Sequence, residues 1–357
     1  MQSKLIEMRE KFPQTELWTD SFHVEHHEYG LAQGITGITT SPTWVSRMMC
    51  DEPVSRHIDV IRQIQCEHPE YTIHETAWAW TLRMGKERSK ILLPLWEKGD
   101  PKVGRFAIQT SIYDSNNTER MVTMALEVDA CGPNMQVKIP STSGGIRAME
   151  EATYRGISVM ATLCFSVDQA IAAAEAIRRG MSRRTSEGLS NENLNPVCAV
   201  LLGMQDDWLK NYAEAKNIVL PPDVFHWGGV AICKKIYQIF KERNYETKIL
   251  VAYYRHQLHW SEFIGGDILM TIPAKWQNRF AECDVEIKDS MSLPVNAETL
   301  AYLLRLEPFK QAYTEGSLSL EGFDRFGPVI LTIKYFMDEY NKAVVKIRDI
   351  LLPDPLA

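Results

Sequence analysis

The chain alternates short runs rich in apolar and β-branched residues with longer stretches whose apolar residues recur every three to four positions. The short runs at 16–20, 36–40, 105–110, 135–140, 157–162, 197–203, 248–253 and 267–272 predict eight strands. Between them, 74–98, 118–129, 145–155, 167–179 and 223–243 predict helices, and a short turn falls near Ser261. A strand followed by a helix, repeated in this way, builds a parallel sheet, and eight such strands close on themselves. The fold class expected is α/β, a single (β/α)8 TIM barrel. Beyond the eighth strand, 297–306 and 328–352 predict two further helices, with Pro328 at a first helical turn where its missing N–H costs nothing. Residues 1–357 are therefore expected to form one barrel domain, with 295–357 as a C-terminal helical extension packed on it. The polar stretch 183–196 (RRTSEGLSNENLNP) reads as a loop between elements, since a helix precedes it and a strand follows.

Composition narrows the class without naming a chemistry. Of 357 residues, 45% are hydrophobic and 24% charged, which excludes disordered and fibrous chains. The 39 Lys and Arg against 46 Asp and Glu leave a charge of -7, which argues against a broad nucleic-acid face but permits a small basic pocket. No apolar run reaches the roughly 18 residues of a membrane helix. The opening MQSKLIEMREKF is charged and amphipathic, without the apolar core of a signal peptide, so a cytoplasmic protein is expected, as monomer or homodimer. The seven cysteines include no CxxC and predict free, mostly buried thiols in a reducing compartment. His23, His26 and His27 share a helical face, but among Glu25 and Glu28 they read as a solvated surface, and no metal is expected. The glycines of HWGG (226–229) lack a phosphate-loop frame and no GxSxG elbow occurs. Arg178, Arg179, Arg183 and Arg184 cluster near a helix C-terminus, where cations are favoured without any ligand. No cofactor is implied.

In such a barrel, polar residues at the carboxyl ends of strands converge on one pocket. Lys138 lies within MQVKIP, an otherwise apolar strand, where alternation turns it toward the barrel interior or its mouth. Burial disfavours an ammonium ion and so supplies the neutral amine that attacks a carbonyl. A lysine snorkelling from a strand end fits the same pattern. Asp20, Thr39, Thr40, Ser41, Gln109, Thr110, Thr162 and Arg255 end the other strands. Together they would surround Lys138 with groups suited to moving protons and holding a polyhydroxylated, anionic molecule.

The segments LWTDSF, GITGITTSPTWV, GRFAIQTSIYD, PNMQVKIPSTSGGIRAMEEATYRGISVMATLCFS, LLGMQDDWLK and HWSEFIGGD resemble the transaldolase family, and the resemblance covers most of the chain. The resemblance implies a (β/α)8 barrel with class I aldolase chemistry. It places the Schiff-base role on Lys138 of the VKIP motif, the acid/base role on Asp20, and the ordering of a catalytic water on Thr162. Gln109 stands where many transaldolases carry Glu and the related aldolases carry Gln. An amide positions water but takes no proton at neutral pH. Substrate contacts are expected from Thr39, Thr40, Ser41, Met160, Ala199, Leu201, Met204 and Arg255.

Three of these depart from the family pattern. Ser41 replaces the asparagine of TTNP, Met160 replaces an asparagine of the fifth strand, and Met204 stands where a phosphate-binding arginine ends the sixth-strand motif. Arg255 still matches the second basic residue. Drift in apolar packing accounts for both methionines as well as a reshaped pocket does. The function implied is a transaldolase-type aldolase acting on a sugar or sugar phosphate, transferring or releasing a dihydroxyacetone unit. A specialised aldolase with an unphosphorylated or less polar substrate, and a catalytically silent binding protein, are the alternatives.

Overall fold

The computed structural model describes residues 3–354; Met1, Gln2 and 355–357, the extreme ends of the expected domain, lie outside the described residues. Eight parallel strands form a closed barrel: β1 Thr15–Asp20, β2 Gly37–Thr39, β3 Arg105–Gln109, β4 Met135–Pro140, β5 Val159–Cys164, β6 Val197–Leu201, β7 Lys248–Ala252 and β8 Ile268–Ile272. β1 pairs with β8 and completes the circle. The TIM-barrel expectation holds.

Alternation along the strands divides two cores. One set faces the helices and joins a large apolar cluster that includes Val137, Ile139, Ile249 and Val251. The other fills the barrel axis with Trp18, Ala107, Met160, Val197, Ala199, Leu250, Ala252 and Leu269. Residues two positions beyond these face the same interior, one layer closer to the mouth. By that rule Asp20, Gln109, Thr162 and Thr271 rim the opening. Lys138 joins them through its registers with Gln109 and Met160.

Several predicted boundaries move, each for a local reason. The helix expected over 74–98 begins with a Thr72–Glu75 capping box and runs Ile73–Ser89, then breaks into short turns ahead of Pro94, which supplies no N–H. β5 lies two residues later than expected, and Leu163 takes a left-handed φ of 52° where the register slips between Ala161 and Cys164. β6 stops at Leu201 because Leu202–Ala215 is already helix. The helix predicted to end at 179 continues to Ser186, shortening the polar loop. There Arg179 and Arg183 pair with Glu150 and Glu151, Arg178 pairs with Glu175, and Arg184 donates to Asn191 and to the carbonyl oxygens of Tyr154 and Ser190, so the basic cluster is engaged within the protein. Helices Val24–Gln33, Pro42–Asp51 and Ser55–Glu67 were not among the predicted elements. All seven cysteines are free; Cys164, Cys198 and Cys233 are buried, but Cys50 and Cys66 are exposed, so the thiols are less uniformly buried than expected.

After β8 come helices Ala274–Ala281, Ala297–Leu303, Glu307–Tyr313 and the long Gly327–Leu351, two more than the two predicted. The last packs mainly on Pro42–Asp51 and reaches Ile73–Ser89, Leu202–Ala215 and β5, which carries it across the carboxyl end of the barrel. No helix among the described residues is long and apolar enough to cross a membrane.

Candidate active site

Lys138 is 7% exposed, and its Nζ donates to the Thr40 carbonyl oxygen at 2.8 Å. Burial pushes its pKa down to about 8, opposed by the negative charge of Asp20. Roughly a tenth of such a group is neutral at pH 7, against a vanishing fraction for a solvated lysine. Asp20 is mostly buried; burial raises its pKa, opposed by Lys138 and by hydrogen bonds from Trp44 and Thr39. Thr39 Oγ1 lies 2.8 Å from Asp20 Oδ1 and 2.6 Å from Thr271 Oγ1, and Trp44 Nε1 donates to Asp20 Oδ2 at 2.8 Å. These bonds fix the carboxyl group, while both shifts favour the uncharged forms of the pair. A proton passes easily between such groups.

Gln109 is buried beside Lys138 and neither its amide nitrogen nor its oxygen has a partner; the hydroxyls of Ser41 and Thr110 share that condition. All three line a cavity of about 20 Å³ together with Thr40, Ser111, Trp78 and Tyr340. That volume accommodates about one water, and the unpaired groups supply the polar partners it needs. Thr162, expected to share a water with Gln109, does not line this cavity; it lies on β5, paired with Pro140 of β4. The structure thus brings Gln109 together with Ser41 and Thr110 instead.

The remaining expected contacts separate into two groups. Thr39 and Thr40 bind Asp20 and Lys138, the latter through its backbone carbonyl. Met160 and Ala199 are packed in the apolar layer of the barrel axis, and Leu201 is buried with the larger core. Met204 lies against the C-terminal helix, its sulfur accepting a hydrogen bond from Thr332 Oγ1 at 3.4 Å. Arg255 turns outward to Asp207, with Nε and Nη2 3.0 and 2.8 Å from Oδ2. It lines a surface cleft of about 480 Å³ with Lys210, His226 and His256.

Tyr253, expected to end the seventh strand, lies beyond it. It follows β7 with φ at 65°, a conformation that costs a bulky side chain of order 1–3 kcal/mol. Its carbonyl accepts from the Gly203 N–H at 2.8 Å, and a Cβ on Gly203 would collide with that oxygen. The glycine of the LLGM segment is therefore needed for close backbone approach.

Two groups of histidines lie close enough together to be compared with a metal site. His27 is fully buried, donates to the Ser21 carbonyl oxygen and is pushed down to about 4 by burial, and His23 and His26 are half-buried, so the face expected to be solvated turns into the protein; His23 lies 3.5 Å from Glu52 and the three rings are not a convergent ligand set. Asp206, His256 and His259 do converge. However, the Arg255 backbone N–H donates to His259 Nδ1, which puts the ring proton on Nε2, 2.8 Å from Asp206 Oδ2. A protonated Nε2 is not a ligand, so this cluster ties the helix Leu202–Ala215 to the segment that follows β7. Residues 50 positions apart in sequence carry no spacing signal that would have revealed it.

The Transaldolase/Fructose-6-phosphate aldolase family model matches residues 17–326. The chain belongs to this family. It is 27% identical over 215 residues to a transaldolase of Thiobacillus denitrificans, covering 58% of each chain. A transaldolase 2 of Nostoc sp. is 27% identical over 186 residues, covering 52% of this chain and 48% of its own. A transaldolase of Mycobacterium bovis is 28% identical over 156 residues, covering 43% and 41%. The matches span about half the length of these relatives.

Proposed function

We propose that the protein is a transaldolase-type class I aldolase in which Lys138 forms a Schiff base with a ketose or hydroxyketone donor. The observation that carries this reading is a buried lysine amine, pushed down to about 8, opposite a fixed Asp20 carboxyl group. The neutral amine adds to the ketone carbonyl; the hydroxyl so formed takes the proton held by uncharged Asp20 and leaves as water, giving a protonated iminium and an Asp20 carboxylate. Asp20 takes the proton of the hydroxyl on the carbon to be released; the carbon–carbon bond breaks, and its electron pair moves to the iminium nitrogen as an enamine. An aldehyde is released. The enamine carbon then adds to a second aldehyde, or takes a proton, and hydrolysis restores the amine. Water for that step is held by Gln109 and Thr110 of the cavity beside Lys138, and the family resemblance implies a part for Thr162 in ordering it. Family membership and relatives named as transaldolases support transfer of a three-carbon ketone unit. Free cysteines support a reducing, cytoplasmic setting.

A specialised aldolase acting on an unphosphorylated substrate is the second reading. It is favoured by Met204 packed on Thr332 and by Arg255 paired outward with Asp207. Assays of fructose 6-phosphate cleavage, with and without an added aldehyde acceptor, and of dihydroxyacetone addition to aldehydes test both readings. Turnover lost in Lys138→Met supports the enzyme; no turnover in the native chain with any of these substrates favours the silent binding protein.

A further inference from the structure

We propose that Tyr253 and Tyr335, with Ser41 and Thr43, form a neutral hydroxyl clamp for the far end of the substrate, and that this clamp takes uncharged hydroxylated aldehydes in preference to phosphorylated ones. The inference rests on the aldolase reading above and names the substrate class of the same site. Three separate elements deliver these hydroxyl groups to the Asp20 side of the mouth. Tyr253 comes from the turn after β7, where its ring packs on the barrel-axis cluster and lies 6.2 Å from Phe336 of the C-terminal helix. Its phenol faces Ser41 and Thr43, with Asp20 and Tyr335 nearby. Tyr335 comes from the C-terminal helix; its hydroxyl receives the Thr43 Oγ1 hydrogen bond at 3.3 Å, and the residue is 39% exposed. Ser41 and Thr43 belong to the start of the Pro42–Asp51 helix, whose Trp44 also holds Asp20. Ser41 is 3% exposed with an unpaired hydroxyl, a group ready to bind a ligand.

A substrate whose carbonyl is at Lys138 and whose reacting hydroxyl is at Asp20 continues past Asp20 toward these groups. Hydroxyls donate to and accept from other hydroxyls, but they do not neutralise a dianion. A phosphate here would meet the Asp20 carboxylate, and the neutral hydroxyls of the clamp do not offset that repulsion. The two positions expected to supply cations are otherwise engaged, Met204 with Thr332 and Arg255 with Asp207. Arg47 is the remaining cation whose charge reaches Asp20 besides Lys138; it lies over the Trp44 ring at 4.9 Å, exposed.

The test uses the full chain with dihydroxyacetone as donor and D-glyceraldehyde or D-glyceraldehyde 3-phosphate as acceptor, comparing kcat/KM. The native protein should favour D-glyceraldehyde by about tenfold or more, and Arg47→Ala should leave that ratio unchanged. Tyr335→Phe and Tyr253→Phe should each raise KM for D-glyceraldehyde by about three- to tenfold, the scale of one neutral hydrogen bond, while borohydride trapping of dihydroxyacetone on Lys138 is unaltered. Preference for the phosphorylated acceptor, a preference erased by Arg47→Ala, or tyrosine variants that leave acceptor KM unchanged would overturn the clamp. Exposed Tyr335 provides the variant that folds if Tyr253→Phe does not. If Lys138 gives no adduct, it is the aldolase reading that fails, and the clamp is then read by calorimetry with erythritol and glycerol 3-phosphate. Tighter binding of erythritol, weakened by Tyr335→Phe, upholds it; tighter binding of glycerol 3-phosphate overturns it.

Discussion

The two ends of the barrel treat buried charge in opposite ways. At the amino end, Lys248 lies 2.6 Å from Glu16 and 2.9 Å from Asp267. Burial works against that lysine, but its two acids prevail and raise its pKa, and Asp267 is correspondingly lowered against its own burial. Arg105 nearby donates to the carbonyl oxygens of Pro101, Met135 and Asn193, and Gln136 bonds to Asn195. At the carboxyl end, burial prevails: Lys138 goes down, Asp20 goes up, Gln109 has no partner, and Tyr253 is strained. A satisfied network stabilises; a network short of partners is ready to bind and to move protons.

The largest expected effect tests the acid at the carboxyl end. Asp20→Asn keeps the shape but loses the proton acceptor, so carbon–carbon cleavage should fall by about 10²- to 10⁴-fold in a steady-state assay, while dihydroxyacetone still forms an adduct on Lys138. Equal loss of adduct and cleavage would mean that Asp20 serves Lys138 alone.

Stability should separate the ends next. Lys248→Met leaves Glu16 without its cation while Asp267 keeps Lys241, and should cost roughly 1 kcal/mol in denaturant unfolding. Lys138→Met should leave stability unchanged or raise it by at most about 3 kcal/mol at pH 7, since it removes a disfavoured charge. The sign follows from a folded pKa below the ordinary 10.5: the protonated amine favours the unfolded chain. The penalty is full below about pH 8 and fades as pH rises from there toward 10.5. A destabilised Lys138→Met would contradict the contrast.

The rate of reductive trapping should rise about tenfold per pH unit below pH 8 and level off above it. Asp20 raises the lysine pKa, so Asp20→Asn should move this profile to lower pH. The smallest effect is expected from Gln109→Glu, a new carboxyl group beside Lys138 in register. It should slow trapping at pH 7 by about three- to tenfold by favouring the ammonium.

Most of the barrel was legible because each strand carries an apolar alternation that only burial on both faces explains. Lys138 was legible for the same reason, as a charge within MQVKIP, and Asp20 and Gln109 as polar residues at strand ends. Tyr253 was not, because a left-handed φ ends the alternation without changing residue type. Neither was the outward turn of Arg255, set by Asp207 on a helix 48 positions earlier. The helix at Leu202–Ala215 was missed at its start because LLG reads equally as strand. Contacts between distant segments decided these features, and local pattern does not encode them.

The central claim is that Lys138 is the nucleophile. Incubation with dihydroxyacetone or fructose 6-phosphate, reduction with borohydride, and peptide mass mapping test it directly. A single reduced adduct on Lys138, absent in Lys138→Met, is the result predicted; no adduct, or an adduct on another lysine, contradicts it.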